Sequence, residues 1–415
     1  MAPRRTTLLA LTTGITLLAT AGCSSSFGDG GDTEQQTGGK QELTVLIGTS
    51  GEAETAAVRA AASAYEEESG NTVDVQVASD LNQQLGQAFA GNNPPDVFYV
   101  ETHQFANYAS GGSLYPYGEH ITDVEDFSAT LRQSFTYDDQ LVCVPKDTSS
   151  LGLVINDDLW EQAGLTPDDY PATWDDLRRV AGELTDGSVT GLVTSSEYQR
   201  LGAFMRQAGG WITDPAQATM TADSPENLQA LEFVQGMLQE GTWKFATEVD
   251  AGWAGEAFGK GTAAMTIEGS WLAGALETDF PGIDYTVLPL PEGPAGPGTL
   301  AFTNCWGVAQ QSAHRDAAVE LVDFLTRPDQ QIAMGNAFGA VPSRESAAAD
   351  YLAEHPGTEA WGASGDGVQG PVTVGGFDRV LGQFNTDLES LRTADPARIL
   401  ADLQSYGEAA LGAGN

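Results

Sequence analysis

Leu141-Val-Cys-Val-Pro-Lys-Asp-Thr-Ser-Ser-Leu-Gly-Leu-Val-Ile-Asn156 decides the fold. Two short apolar runs rich in branched residues, LVCV and LGLVIN, flank the polar interval Pro145–Ser150, and both have the length and composition of buried strands. No hairpin turn separates them. Two tandem strands without a hairpin imply a crossover, so the first run is assigned to one lobe and the second to another. Asp147 then lies in the seam between lobes, where ligand sites are commonly built.

Upstream, strand and helix signals alternate. Leu43–Ile47 reads as a strand, Glu52–Ser69 as an Ala- and Glu-rich helix stopped by Gly70, and Thr72–Val77 as an alternating strand. Leu81–Ala90 is helical and Asp96–Val100 is a third strand. That rhythm predicts a parallel sheet flanked by helices. Downstream the pattern turns more helical, with an amphipathic stripe of Leu228, Leu231, Val234 and Leu238 in Pro225–Glu240. Thr173 followed by Asp176 forms a capping box at the head of another helix.

Several blocks together carry a resemblance. Asp157-Asp-Leu-Trp160, Ala163-Gly-Leu165 and Pro171-Ala-Thr-Trp-Asp-Asp-Leu177 follow the crossover. Ala257–Trp271, AFGKGTAAMTIEGSW, comes later, and Phe338-Gly-Ala-Val-Pro-Ser-Arg344 later still. This set resembles the extracellular solute-binding proteins of family 1, the maltose-binding type, which deliver mostly carbohydrates to ABC importers. The resemblance covers the chain from Leu43 to about Arg344. It implies an α/β, two-lobed, periplasmic-binding-protein-like fold of class II. Each lobe is a sheet flanked by helices, and three crossover segments, near Pro145–Ser150, Val287–Pro291 and Thr326–Pro342, join them. Lobe one is then residues 43–146 with 289–326, and lobe two 147–288 with 327–415.

The N-terminus reads as a targeting segment. Arg4 and Arg5 precede the apolar stretch Leu8–Ala21, which is too short to span a membrane as a mature helix, and Ala21-Gly22-Cys23 forms a small-residue cleavage site. This resembles a bacterial lipoprotein signal, giving residues 1–22 as signal peptide and Cys23 as the acylated residue of an extracytoplasmic, membrane-anchored protein. Residues 23–42, almost without apolar side chains, read as a flexible tether. Cys143 and Cys305 lie in apolar strand-like runs that the resemblance places in one lobe. They are either a disulfide, which an exported protein retains, or two buried thiols.

The 415 residues include 58 acids against 18 lysines and arginines, a net charge of -40. That charge argues against nucleic acid or an anionic surface as partner, since both select basic patches. It does not by itself select a cationic ligand. The four histidines show no metal-ligand spacing and no serine stands in a nucleophile elbow, so neither metal nor cofactor is expected. A monomer serving a membrane permease is the expected form.

A sugar presents apolar C–H faces and a rim of hydroxyls, so its site needs aromatic planes and planar polar groups. Trp271, held past a strand end by Glu268-Gly269, is the leading aromatic candidate. Trp211, after Gly209-Gly210, and Trp306 follow, then Trp253; Trp160 and Trp174 sit on helix faces and read as core. Among polar groups, Asp147 and Glu101 match positions that bind hydroxyls in the resembled family. Glu101 also ends a strand of an open parallel sheet, where ligands bind. Glu52, Glu268, Asn304 and Arg344 complete the set. A secreted glycosidase using paired carboxylates and a binder of a non-sugar solute such as a polyamine are the competing functions.

Overall fold

The computed structural model describes residues 39–48, 51–363 and 367–413; the signal segment, Cys23 and most of the tether lie outside the described residues. Lobe one is built on a five-stranded sheet in the order Thr72–Val77, Glu42–Ile47, Val97–Glu101, Asn304–Val308, Val144–Pro145. The first three strands are parallel, as their alternation with helices requires. Asn304–Val308 runs antiparallel to Val97–Glu101, because it returns from the other lobe rather than from a local crossover helix. The helix Glu52–Ser69 buries Val58, Ala61, Ala62 and Tyr65 on this sheet and ends where Gly70 turns left-handed at φ 77°. Cys143 and Cys305 are joined by a disulfide with 5.7 Å between Cα atoms, which ties the run leading into Val144–Pro145 to its sheet neighbour Asn304–Val308 within lobe one.

Lobe two has its own five-stranded sheet, ordered Trp243–Phe245, Thr190–Thr194, Ala263–Glu268, Gly152–Asn156, Tyr285–Leu288. Gly152–Asn156, the second run of the deciding stretch, is buried along its whole length. Its last residue caps the next helix, the Asn156 side chain accepting from Leu159 N at 3.0 Å. The Thr173–Asp176 capping box is present, each side chain bound to the other's backbone N–H. Trp160 and Trp174 are core residues here. The C-terminal helices Phe377–Leu388 and Pro396–Ala413 pack their apolar stripes, including Phe384, Leu388 and Leu400, into the same core.

Between the lobes, the crossing segments pair with one another in a small sheet ordered Val341–Pro342, Asp147–Ser150, Thr299–Phe302, Val368–Gln369. Asp147 faces Pro342, and Ser149 and Ser150 face Phe302 and Ala301. Two boundaries differ from the sequence reading. Tyr285–Leu288 completes the lobe-two sheet and Glu292 pairs with Thr173, so the second crossing comes at Thr299–Phe302 rather than near 287–291. The helix Pro328–Phe338 sends Met334 and Phe338 into the lobe-one core, so the third crossing is Val341–Pro342, at the end of the expected Thr326–Pro342 stretch, and residues 327–340 go with lobe one rather than lobe two. In each case a loop or helix stays on the lobe that buries its apolar side chains, which local periodicity does not reveal.

Candidate functional site

A cavity of about 640 Å³ opens between the lobes, directly over the crossing strands. Its floor is Asp147–Ser149, Leu300–Asn304 and Ala340. Lobe one contributes Glu54, Tyr99, Glu101 and His103, and lobe two Tyr198, Trp211, Ser270 and Trp271. The size is that of a pocket enclosing a small organic ligand.

The lobe-one wall is charged. Lys146, almost fully buried, bonds Glu54 Oε1 at 3.0 Å and also the Asp147 carboxylate, while its ammonium lies 4.7 Å from the Tyr99 ring centroid. Tyr99 OH donates to the same Glu54 oxygen at 3.0 Å. Burial opposes the lysine charge, yet the adjoining Asp147 and Glu54 outweigh it and hold the ammonium pKa well above its usual value. Burial pushes the Asp147 carboxyl above the ordinary aspartate value against the pull of Lys146, with Glu54 adding to the rise. Asp147 keeps a side-chain exposure of 21%, so it has capacity left toward the cavity. Glu101, 38% exposed, accepts from Asn82 Nδ2 at 2.7 Å with His103 Nε2 at 3.5 Å.

The lobe-two wall is aromatic. Strand Ala263–Glu268 ends on a fully buried carboxylate, whose Oε2 accepts from Arg200 Nη2 at 2.7 Å and from Trp271 Nε1 at 2.9 Å. The indole lies over Gly269, where a Cβ would come within 2.2 Å of the ring, so the Glu-Gly-Ser-Trp order has a steric reason. Phe302 meets the indole edge to face at 5.0 Å, and the Arg200 guanidinium sits 5.3 Å from the ring centre. A tryptophan fixed at its N–H, its edge and one face has little rotamer freedom left to lose when a ligand stacks on it.

Of the ten residues proposed from sequence, five border the cavity: Glu101, Asp147, Trp211, Trp271 and Asn304. The other five do not. Trp306 is fully buried in the lobe-one core, edge to face with Tyr99 at 4.8 Å, because its central strand points that side chain inward. Arg344 is buried too. Its guanidinium donates to the backbone oxygens of Thr326, Asp123 and Thr122 at 2.5, 2.9 and 2.7 Å, pinning the third crossing to lobe one. Glu268 stands behind Trp271 and orients it. Trp253 folds over Gly255 into a lobe-two satellite core. Glu52 is exposed in the first helical turn, where a carboxylate complements the N-terminal dipole.

Several lining residues escaped the sequence reading: Glu54, Tyr99, Lys146, Tyr198, Phe302 and Gln369. Lys146 stands beside Asp147 in the deciding stretch and was legible by adjacency. Tyr99 sits between Phe98 and Val100 in a buried apolar run, and nothing local separates it from core. Among the described residues no cluster of His, Cys, Asp and Glu could hold a metal, and no helix is long and apolar enough to cross a membrane.

Comparison with known proteins agrees with this fold. Residues 60–361 match the family model described as bacterial extracellular solute-binding protein. The diacetylchitobiose binding protein DasA of Streptomyces coelicolor is 23% identical over 317 residues, 72% of each chain. Two solved structures share the fold. The ABC substrate-binding protein Lmo0181 of Listeria monocytogenes, in complex with cycloalternan, has a TM-score of 0.81 at 21% identity, covering 90% of this chain and all of that one. UgpB of Mycobacterium tuberculosis, in complex with glycerophosphocholine, has a TM-score of 0.78 at 20% identity, covering 91% and 99%. The chain belongs to the bacterial extracellular solute-binding protein family.

Proposed function

Starting from that membership, we propose that this chain is the substrate-binding component of an ABC importer, that its solute is a mono- or oligosaccharide, and that a lipid on Cys23 tethers it outside the membrane beside its permease. The observation that carries the saccharide reading is the opposition of two walls. Trp271, locked by Glu268 and Arg200, offers a plane for sugar C–H faces, while Glu101 and Asp147 across the cavity offer acceptors for hydroxyls. The paired crossing strands under the cavity supply a hinge. Closure follows from contacts the ligand makes to both walls at once, which only the closed state permits. DasA is a diacetylchitobiose binding protein and Lmo0181 is seen in complex with cycloalternan, which supports the same reading.

A second reading is favoured by one observation, the excess of carboxylates over cations around the cavity, where Glu54, Glu101 and Asp147 face the single Lys146. It gives the site to a cationic solute such as a polyamine. A thermal-shift screen against panels of sugars and polyamines separates the two, since a ligand at a hundred times its Kd adds about 2.7 kcal/mol to stability. The saccharide reading expects a rise with sugars and none with polyamines, and the reverse pattern would overturn it. The anchor is checked by Cys23→Ala and cell fractionation: the variant should leave the membrane, and retention there would refute lipidation.

A further inference from the structure

The cavity does not end at Trp211. On the far side of that indole lies a second, open groove of about 1180 Å³, and the two spaces share Trp211, Gln369, Gly370 and Pro371 as a common border. The groove is also an interlobe space. Thr130 and Gln133, on the lobe-one helix Ala129–Ser134, face Arg206, Thr213 and Gln217 of lobe two.

Arg206 is the unusual member. It is half-buried in the last turn of the helix Tyr198–Gln207, and its Nε has no hydrogen-bond partner among the described residues. Its one side-chain hydrogen bond among the described residues is long, Nη1 donating to Gly210 O at 3.4 Å. No carboxylate of the described residues comes within ion-pair distance, although acids outnumber lysines and arginines 58 to 18 in the chain. Asp214 lines the same groove but spends one oxygen on the backbone N–H groups of Ala218 and Thr219, at 2.7 and 2.8 Å. Burial alone moves the guanidinium pKa, downward, with no acid raising it. Holding a cation half-buried without a partner is costly unless something completes its hydrogen bonds.

We propose that the ligand is an oligosaccharide long enough to pass Trp211, a trisaccharide or longer, with its far units in this groove and their hydroxyls bound by Arg206. The inference rests on the saccharide reading above and adds to it the length of the ligand and a second contact region. A neutral chain fits better than an acidic one, since Asp214 and Glu226 share the groove with Arg206 and leave it no net positive charge. The planar guanidinium fork suits two neighbouring hydroxyls of one ring. The alternative role for Arg206 is a helix C-terminal cation that complements the dipole, and that role has no dependence on ligand length.

The test is calorimetric titration of the full-length protein with maltooligosaccharides and chitooligosaccharides of increasing length, for the parent, Arg206→Ala, Arg206→Lys and Gln133→Ala. In the series that binds, affinity should rise roughly tenfold or more once the chain is long enough to pass Trp211, the worth of one or two hydrogen bonds to a charged group. Arg206→Ala should erase that step while leaving affinity for the short members unchanged, and Arg206→Lys should restore only part of it. Gln133→Ala reports on the opposite wall of the groove without touching the helix, so it serves if Arg206→Ala fails to fold. Binding of short members with no gain on lengthening, or a gain that survives both Arg206→Ala and Gln133→Ala, overturns the proposal and leaves the saccharide reading standing. No binding by any member of either series, together with no thermal shift from any sugar of the wider panel, overturns both.

Discussion

The two walls of the cleft solve the same recognition problem with different chemistry. Lobe one presents charged groups held by one another, Glu54, Lys146 and Asp147 in a buried cluster to which the neutral Tyr99 hydroxyl donates, with Glu101 beside them. Lobe two presents Trp271 as a plane, its charges Glu268 and Arg200 withdrawn behind the ring. The charged wall sets orientation through its hydrogen bonds, whereas the aromatic wall supplies contact area. The difference teaches that a charge near this site acts on the ligand only where it keeps unused acceptor capacity. Glu268 has a free oxygen, but it is sealed from the cavity; Asp147 is committed to Lys146 yet still partly open.

The same contrast separates two tryptophans that the sequence offers as ligand contacts, Trp271 first and Trp306 after it, and it yields the largest expected effect. Trp306→Ala removes a fully buried ring from the lobe-one core and should cost about 3–5 kcal/mol of stability, read from denaturant midpoints. Trp271→Ala should leave the fold close to intact and reduce affinity for a bound saccharide on the order of a hundredfold, by loss of the stacking surface. Equal stability losses in the two variants would erase the distinction.

Breaking the disulfide with Cys143→Ser and Cys305→Ser together comes next. The bridge spans a sequence separation of 162 residues and lies beside Lys146 and Asn304. Its loss should lower stability by about 2–5 kcal/mol, seen as a lower midpoint of the variant and of the reduced parent. An unchanged midpoint would show that the strands hold the floor of the cleft unaided.

On the charged wall, Glu101→Gln keeps shape and removes charge. It should weaken binding by about tenfold, the value of a hydrogen bond to a charged group, in the same calorimetric experiment. Unchanged affinity would remove Glu101 from the site.

The smallest effect is the pH dependence of Asp147. Its folded pKa lies above the unfolded value of 3.8, so the native state takes up a proton first as pH falls. This group therefore works against stability at neutral pH, and that penalty is relieved as pH drops through the raised pKa toward 3.8. Comparing parent with Asp147→Asn, the parent should gain relative stability on acidification across that window. A parent that loses ground to the variant there would reverse the sign assigned to Asp147.

How much of this was legible in the sequence depends on how local each cause is. The crossover at Asp147, the capping box at Thr173 and the Glu-Gly-Ser-Trp turn are set by neighbours a few residues apart, and the chain states them directly. Arg344 looked like a free cation in a return segment. Its partners, the carbonyls of Thr122, Asp123 and Thr326, are distant in sequence, and no pattern announces backbone acceptors. Trp306 and Trp271 both stand near glycines at strand-like runs. Only the sheet order, which puts Asn304–Val308 between two other strands, turns the first ring into the core. The lobe assignment of Pro328–Phe338 was hidden for the same reason, since an amphipathic helix does not say which sheet it covers.

The measurement that bears most directly on the cleft is a crystal structure with the saccharide that gives the largest thermal shift. A sugar ring should lie against the Trp271 indole, with hydroxyls within hydrogen-bond distance of Asp147 and Glu101 and the lobes closed over them. A saccharide seated elsewhere on the surface, or in the cleft without contact to Trp271 or to either carboxylate, would contradict the account.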